Sequence, residues 1–165
     1  MTGATAVLLD QLLANANDRS WYISFKEVSE GIKEEEAFWK PDNESHSIAE
    51  MTQHLIYWNE VWQTRYEQSS VKAVPLLKDN AESFLVPKEK SFAELKERLL
   101  DVLLNWQTLM TTEKLETIVS GFPVEAKWWE LISNATTHNA YHIGQIAYVR
   151  KMKKSIFLPE RINSR

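Results

Sequence analysis

The chain has 165 residues, a formal net charge of −4, 44% hydrophobic residues and no cysteine. This length suits one domain, residues 1–165, that can bury a core without crosslinks. The missing cysteines exclude disulfides, thiolate metal sites and a cysteine nucleophile. The net negative charge argues against nucleic acid as a partner, because binding to phosphates needs a basic face.

The first twenty residues lack the pattern of a secretory signal. Asp10 interrupts the apolar run, and no Lys or Arg precedes it. No segment reaches the ~18 apolar residues of a membrane span. We therefore expect a cytoplasmic protein without a membrane partner.

Glycine is scarce, with 4 residues, and apolar residues recur at helical spacing along much of the chain. Both features predict an all-α fold of four long helices packed as a bundle. The first helix is predicted from about Ala4 to Ile32. Gly31 and the following stretch up to Pro41, which cannot continue a helix, end the helical pattern. Its apolar stripe is Trp21, Phe25, Val28 and Ile32.

Two capping boxes predict where the second and third helices begin. Ser47 with Glu50 opens the second helix, which should fade near residues 68–70. Ser91 with Glu94 opens the third. The fourth helix is predicted from about Glu125 to Lys153, behind a turn that contains glycine and proline.

The segment between the second and third helices, residues 69–90, has two prolines and no periodicity. A structureless loop of this length is uncommon in a compact domain. A long connection is expected if the two helices run parallel, since a helix of ~22 residues is about 33 Å long. Twenty residues can span up to about 65 Å. We therefore predict a crossover along the length of the bundle.

The chain has only four histidines. His138 and His142 lie four residues apart on the predicted fourth helix, on one face, where two imidazoles can meet one ion. His54, inside the second helix, could supply a third ligand. Against this, a histidine on an amphipathic helix is more often a hydrogen-bonded core or surface residue. For His46, just before the second helix, a role at the helix end or surface is favoured.

Two motifs resemble those of the DinB/YfiT-like superfamily. Residues 137–146, THNAYHIGQI, match a last-helix pattern of H-x3-H followed by Gly-Gln, and residues 47–55, SIAEMTQHL, match a second-helix pattern ending in His-Leu. Residues 31–41, with the sequence FWKP near their end, resemble the family's link between helices one and two. The resemblance covers nearly the whole chain.

The resemblance implies a four-helix bundle in up-down-down-up order and, often, a homodimer. It also implies one divalent metal ion, such as Zn, Ni, Fe or Mn, bound by His54, His138 and His142. This sequence departs from the pattern at Asn139, where relatives often carry an acidic residue.

Three histidine ligands would leave an ion with open coordination, as in catalytic sites. Such an ion can polarise a substrate, lower the pKa of bound water to about 7, or bind a thiolate. Glu50 could reach the site as a further ligand or as an acid or base. Tyr57 and Tyr141 are candidate acids or substrate contacts, although tyrosine often serves in packing. Asn134 and Gln145 are candidate hydrogen-bond partners for the ring nitrogens.

The first hypothesis is therefore a metal-dependent enzyme with a small-molecule substrate. By the resemblance, the leading activity is S-transfer of a low-molecular-weight thiol, and hydrolysis is an alternative. A second hypothesis is a stress protein that binds metal or ligand without turnover. A third is a purely structural bundle, in which the three histidines are a coincidence. Trp58 and Trp62 could line an apolar substrate cleft or pack in the core.

Overall fold

The structure, a computed structural model, describes residues 3–18 and 20–157, with side chains as far as residue 154. These residues form helices and no β-strand, which confirms the all-α prediction. Within the same ranges, no helix has both the length and the apolarity needed to cross a bilayer. The helices are α1 Ala4–Ala16, α2 Phe25–Ser29, α3 Glu34–Ala37, α4 Ile48–Glu67, α5 Phe92–Leu109, α6 Thr112–Leu115 and α7 Trp128–Phe157.

The prediction of one continuous first helix is wrong. Helix α1 ends at Ala16, and the chain becomes helical again only at Phe25. The new start is a capping box in which Ser24 Oγ accepts from the Glu27 amide and the Glu27 carboxylate accepts from the Ser24 amide. Trp21, assigned to the apolar stripe, is 103% exposed. The capping box at Ser24 starts a new helix at this point, although the apolar periodicity continues through it.

The predicted starts of the second and third long helices are confirmed. Helix α4 begins after Ser47, whose Oγ accepts from the Glu50 amide at 3.1 Å. Helix α5 begins after Ser91, which forms the same capping box with Glu94. Helix α4 ends at Glu67, next to residues 68–70, where the second helix was expected to fade.

The four longest helices pack on one another. Helix α1 contacts α5 and α7, and α4 contacts the same two helices. One core cluster includes Phe25, Leu55 and Leu99, and a second includes Trp106 and Trp128. The up-down-down-up order of the bundle stays a prediction.

A buried amide pair joins α4 to α7. Asn59 Nδ2 donates to Asn139 Oδ1 at 2.8 Å, and Asn139 Nδ2 donates back to Asn59 Oδ1 at 3.1 Å. Trp106 Nε1, from α5, donates to the same Asn59 oxygen at 2.9 Å. Because buried polar groups must be paired, this network favours one register between the helices. It lies beside the histidines in sequence, since His138 directly precedes Asn139.

The long connection between α4 and α5 is not structureless. It contains two short 3₁₀ turns, Val71–Ala73 and Asn80–Phe84. Asp79 caps the second turn, and its carboxylate accepts from the Ala81 amide at 2.9 Å. This turn packs against α4 and so brings residues of the connection to the face that carries His54.

Candidate metal centre

The structure brings the three predicted ligands together. His54 comes from α4, while His138 and His142 lie one turn apart on α7. One ring nitrogen from each histidine lies within 4.8 Å of the other two. His54 Nε2 and His138 Nε2 are only 3.1 Å apart. Helical spacing explains the pair on α7, and the packing of α4 on α7 adds the third ring.

The hydrogen bonds of Ser83 determine the tautomer of His54. The Ser83 hydroxyl donates its only proton to the Asn80 carbonyl oxygen at 2.6 Å. Its oxygen lies 2.7 Å from His54 Nδ1 and therefore accepts a hydrogen bond from the protonated Nδ1. In neutral His54, Nε2 then carries the lone pair, and this nitrogen faces His138.

Gln145 determines the tautomer of His142. Its amide oxygen, an acceptor, lies 2.6 Å from His142 Nδ1, so this nitrogen donates. The lone pair is left on Nε2, the other nitrogen of the ring. Gln145 thus makes the ring contact that the sequence predicted for it.

Burial keeps the rings neutral. His54 is 2% exposed and His142 is 8% exposed. Burial, and then the neighbouring His142 and His138, lower the pKa of His54 to about 3. Burial, and then His138, lower the pKa of His142 to about 4, and burial also lowers the pKa of His138. Neutral imidazole is the form that binds metals.

These observations fit a divalent cation. In His54 and His142, Nδ1 donates its proton to Ser83 or Gln145, and the lone pair on Nε2 is free. A metal-bound imidazole has this arrangement, with one nitrogen on the ion and the other donating a hydrogen bond to the protein. The short approach of His54 Nε2 to His138 Nε2 needs either a shared proton or a cation between them. Among the described residues, no carboxylate belongs to the group, so the ligand set is three nitrogens. Such a set could hold zinc, nickel or iron.

The histidines form one wall of a cleft of about 460 Å³, which we call the His cleft. Trp58 Nε1 donates to Asn80 Oδ1 at 3.2 Å, which joins the tryptophan to the 3₁₀ turn. The described lining contains no carboxylate, lysine or tyrosine. Its residues are His54, Trp58, Trp62, Asn80, Phe84, Phe122, Leu131, Asn134, Ala135, His138 and His142.

Two important neighbours of the site, Ser83 and Phe84, were missed from the sequence. The Phe84 ring stacks on His54 at 3.9 Å and on His46 at 3.8 Å between ring centroids. His46 is therefore tied to the site through Phe84, while it also lies 3.6 Å from the Glu50 carboxylate. The only sequence signal for this turn was the Asp79-Asn80 pair, since both residues favour turns.

Glu50 does not join the three histidines, and both of its carboxylate oxygens are engaged elsewhere. One carboxylate oxygen accepts from the Ser47 amide at 2.8 Å, and the other lies 2.7 Å from Lys40 Nζ. Burial raises the pKa of Glu50, but the contacts with Lys40 and Ser47 outweigh it, and the net shift is downward. Glu50 is therefore a capping carboxylate that stays ionised.

The other candidate residues lie at the edge of the site or outside it. Tyr57 packs edge-on against Trp58, with ring centroids 5.3 Å apart, and does not line the His cleft. Tyr141 is 63% exposed and lines a different cavity, although its ring contacts His142. Asn134 lines the cleft, but its amide donates to the Glu130 carbonyl rather than to a ring nitrogen. The structure therefore brings neither tyrosine into the cleft.

Comparison with known proteins identifies relatives of this chain. The family model for the DinB superfamily matches residues 10–146. The fold is similar to that of a DinB-like protein from Bacillus subtilis, with a TM-score of 0.66 and 15% sequence identity. That similarity covers 93% of this chain and 96% of the other. No curated protein matches the sequence significantly.

Proposed function

This chain belongs to the DinB superfamily, and on that premise we propose that it is a metal-dependent enzyme acting on small molecules. The specific activity proposed is transfer of a low-molecular-weight thiol to an electrophile. One observation carries the proposal: three imidazoles, held neutral by burial, meet at the wall of a cleft. A purely structural bundle has no need for such a cluster.

The metal-binding residues proposed are His54, His138 and His142. A divalent ion bound there would supply Lewis acidity, which favours the thiolate form of a thiol at neutral pH. In the proposed reaction, the sulfur forms a bond to an electrophilic carbon, and the leaving group departs with the bonding electrons. The thiol proton goes to the solvent.

The rest of the His cleft would bind and orient the substrate. Trp58, Trp62 and Phe122 offer apolar ring surface, which packs on apolar parts of a substrate and excludes water. The amide of Asn134 gives a polar contact in the same wall. Ser83 and Gln145 hold the rings in the tautomer that keeps Nε2 free to bind.

The lining of the His cleft favours thiol transfer over hydrolysis. Metal-dependent hydrolases commonly use a carboxylate beside the metal as general base. No carboxylate lines the cleft within the described part of the chain, and Glu50 is engaged elsewhere. Thiol transfer needs no such base, because a thiolate is itself the nucleophile.

The test combines metal analysis with turnover. Tag-free wild type is expected to contain about one divalent ion per chain and to consume glutathione, cysteine or bacillithiol with 1-chloro-2,4-dinitrobenzene, releasing chloride. His138→Ala should lose both properties, whereas His46→Ala, outside the ligand set, should keep the metal. Stoichiometric metal without turnover of any thiol or ester would indicate a binding protein. No metal after reconstitution would overturn the proposal.

The homodimer implied by the resemblance is also a proposal. Light scattering on the eluting peak of a size-exclusion column would measure it directly. A mass near twice the 19.2 kDa of one chain would support it, and a mass of one chain would reject it.

A further inference from the structure

A second cavity, of about 730 Å³, adjoins the His cleft. The two cavities share Trp58, Trp62 and Phe122 as walls. Apart from these rings, the second cavity is lined largely by apolar residues of the connection between α4 and α5. Its only charged lining residues, Arg65 and Lys72, are both basic, and no acidic residue lines it within the described part of the chain. We call it the Arg65 cavity.

Arg65 is a buried cation that makes no ion pair with any described residue. The residue is 3% exposed, and its guanidinium lies over the Trp62 ring, 4.9 Å from the centroid. Of its five N–H donors, one has a hydrogen-bond partner within the described chain: Nη2 donates to the Val74 carbonyl at 3.0 Å. Nε is buried without a partner. No carboxylate of the described residues forms an ion pair with Arg65.

A buried charge normally has a partner, because removing it from water is costly. Burial lowers the pKa of Arg65, and the neighbouring Tyr57 only partly offsets this effect. Arginine nevertheless stays protonated in proteins. The guanidinium therefore lacks a counter-ion within the described chain, and a planar oxyanion would match its fork of donors.

Lys72, the second cation at this cavity, packs its side-chain stem against Gly121. Gly121 has a φ of +79°, and a Cβ built there would lie 3.1 Å from Lys72 Cγ. The absence of a side chain thus lets the stem of Lys72 lie across the turn at Gly121, which also lines the cavity. Two positive charges therefore border one apolar space.

Arg65 and His54 lie on nearly the same face of helix α4. Arg65 follows His54 by eleven residues, which is about 16 Å along the axis and about 20° around it at 3.6 residues per turn. Trp58 and Trp62 lie between them on the walls common to the two cavities. One elongated molecule can therefore contact both ends of this helix face.

We propose that the Arg65 cavity binds the carboxylate of an apolar organic acid, with Arg65 as its main ligand and Lys72 as a second cation. The apolar body of the acid lies against Trp58 and Trp62, and its far end reaches the His cleft as a substrate. Of these statements, only the one that the far end reaches the His cleft as a substrate rests on the proposed function. The binding of the acid requires neither metal nor turnover.

Binding to metal-free protein tests the proposal, with 4-phenylbutyrate as the probe and the neutral 4-phenylbutanamide as its match in shape. Calorimetry on the wild type should show that the acid binds about ten- to a hundredfold more tightly than the amide, as expected for hydrogen bonds to a charged group. Arg65→Gln should remove this preference. Arg98→Gln, which removes a positive charge from the exposed face of α5, should retain it.

Lys72→Gln keeps the test decisive if Arg65→Gln unfolds, because Lys72 is exposed and its replacement should not affect folding. It should weaken binding of the acid severalfold and leave binding of the amide unchanged. Equal binding of acid and amide to the wild type would overturn the proposal, as would a preference that neither substitution reduces.

His138→Ala separates this proposal from the proposed function. The variant should bind 4-phenylbutyrate as the wild type does, even though it is expected to lose metal and turnover. An acid preference that disappears with His138 would show that the anion sits on the histidines, and it would overturn the assignment to Arg65.

Discussion

Ser83 Oγ lies 2.7 Å from Nδ1 of His54, and the two residues are 29 positions apart in the chain. Ser83 belongs to the connection between α4 and α5, so this segment does more than link two helices. Because the hydroxyl proton is engaged by Asn80, the serine can only accept from the ring. The connection thereby determines which nitrogen of His54 is free to bind a metal.

Removing this hydroxyl should weaken metal binding. Ser83→Ala leaves His54 Nδ1 without its acceptor and frees the ring to rotate or change tautomer, so affinity should fall about ten- to a hundredfold. Competition with a chromogenic chelator measures the change. Ser133→Ala, on the same helix as His138, is the control and should bind as the wild type. Equal affinity in Ser83→Ala would show that the tautomer does not depend on this contact.

Acid should destabilise the metal-free protein through its buried histidines. In the unfolded chain these rings take up protons below about pH 6.5, whereas His54 and His142 in the folded protein do so only near pH 3 and 4. The unfolded state therefore binds more protons, and stability falls as the pH drops from about 6.5 towards 4. Each ring contributes at most about 1.4 kcal/mol per pH unit.

Chemical unfolding between pH 7.5 and 5 measures this dependence. His54→Gln should show a shallower loss of unfolding free energy with falling pH than the wild type does. His46→Gln, which replaces a partly exposed ring, serves as the comparison and should follow the wild type. Parallel curves for the wild type and His54→Gln would contradict the assigned burial of His54.

Glu50 should affect stability and not metal binding. Glu50→Gln removes the ion pair with Lys40 but keeps an oxygen for the capping box, so the expected loss is at most about 1 kcal/mol. Elemental analysis should still find about as much metal per chain as in the wild type. His54→Ala provides the contrast, with loss of metal. A clear drop in the metal content of Glu50→Gln would indicate that Glu50 is a metal ligand.

The amide pair between α4 and α7 should contribute strongly to stability. Asn59→Ala leaves Trp106 Nε1 and the Asn139 amide without their buried partner, so we expect a loss of about 2–4 kcal/mol. Urea unfolding followed by circular dichroism measures it. The exposed Asn134→Ala should change stability by less than about 0.5 kcal/mol. Similar unfolding midpoints for both variants would show that the network is energetically neutral.

Much of the fold was predictable because its signals are local. The capping boxes at Ser47 and Ser91 involve residues three positions apart, and they mark the starts of α4 and α5 correctly. The break after α1 has the same kind of signal, at Ser24 and Glu27, but the apolar stripe through Trp21 concealed it. Periodicity alone does not show where one helix ends and a similar one begins.

The sequence by itself determined that His138 and His142 share a helix face, since a spacing of four follows from helix geometry. The motif resemblance added His54 as an expected third ligand. Only the tertiary structure decided that its ring meets theirs, that Ser83 orients it, and that Glu50 is engaged by Lys40 instead. It also placed Arg65 at a cavity that no acidic side chain of the described residues lines. These contacts join distant segments, and they arise from the packing of α4, α7 and the connection, which no local pattern specifies.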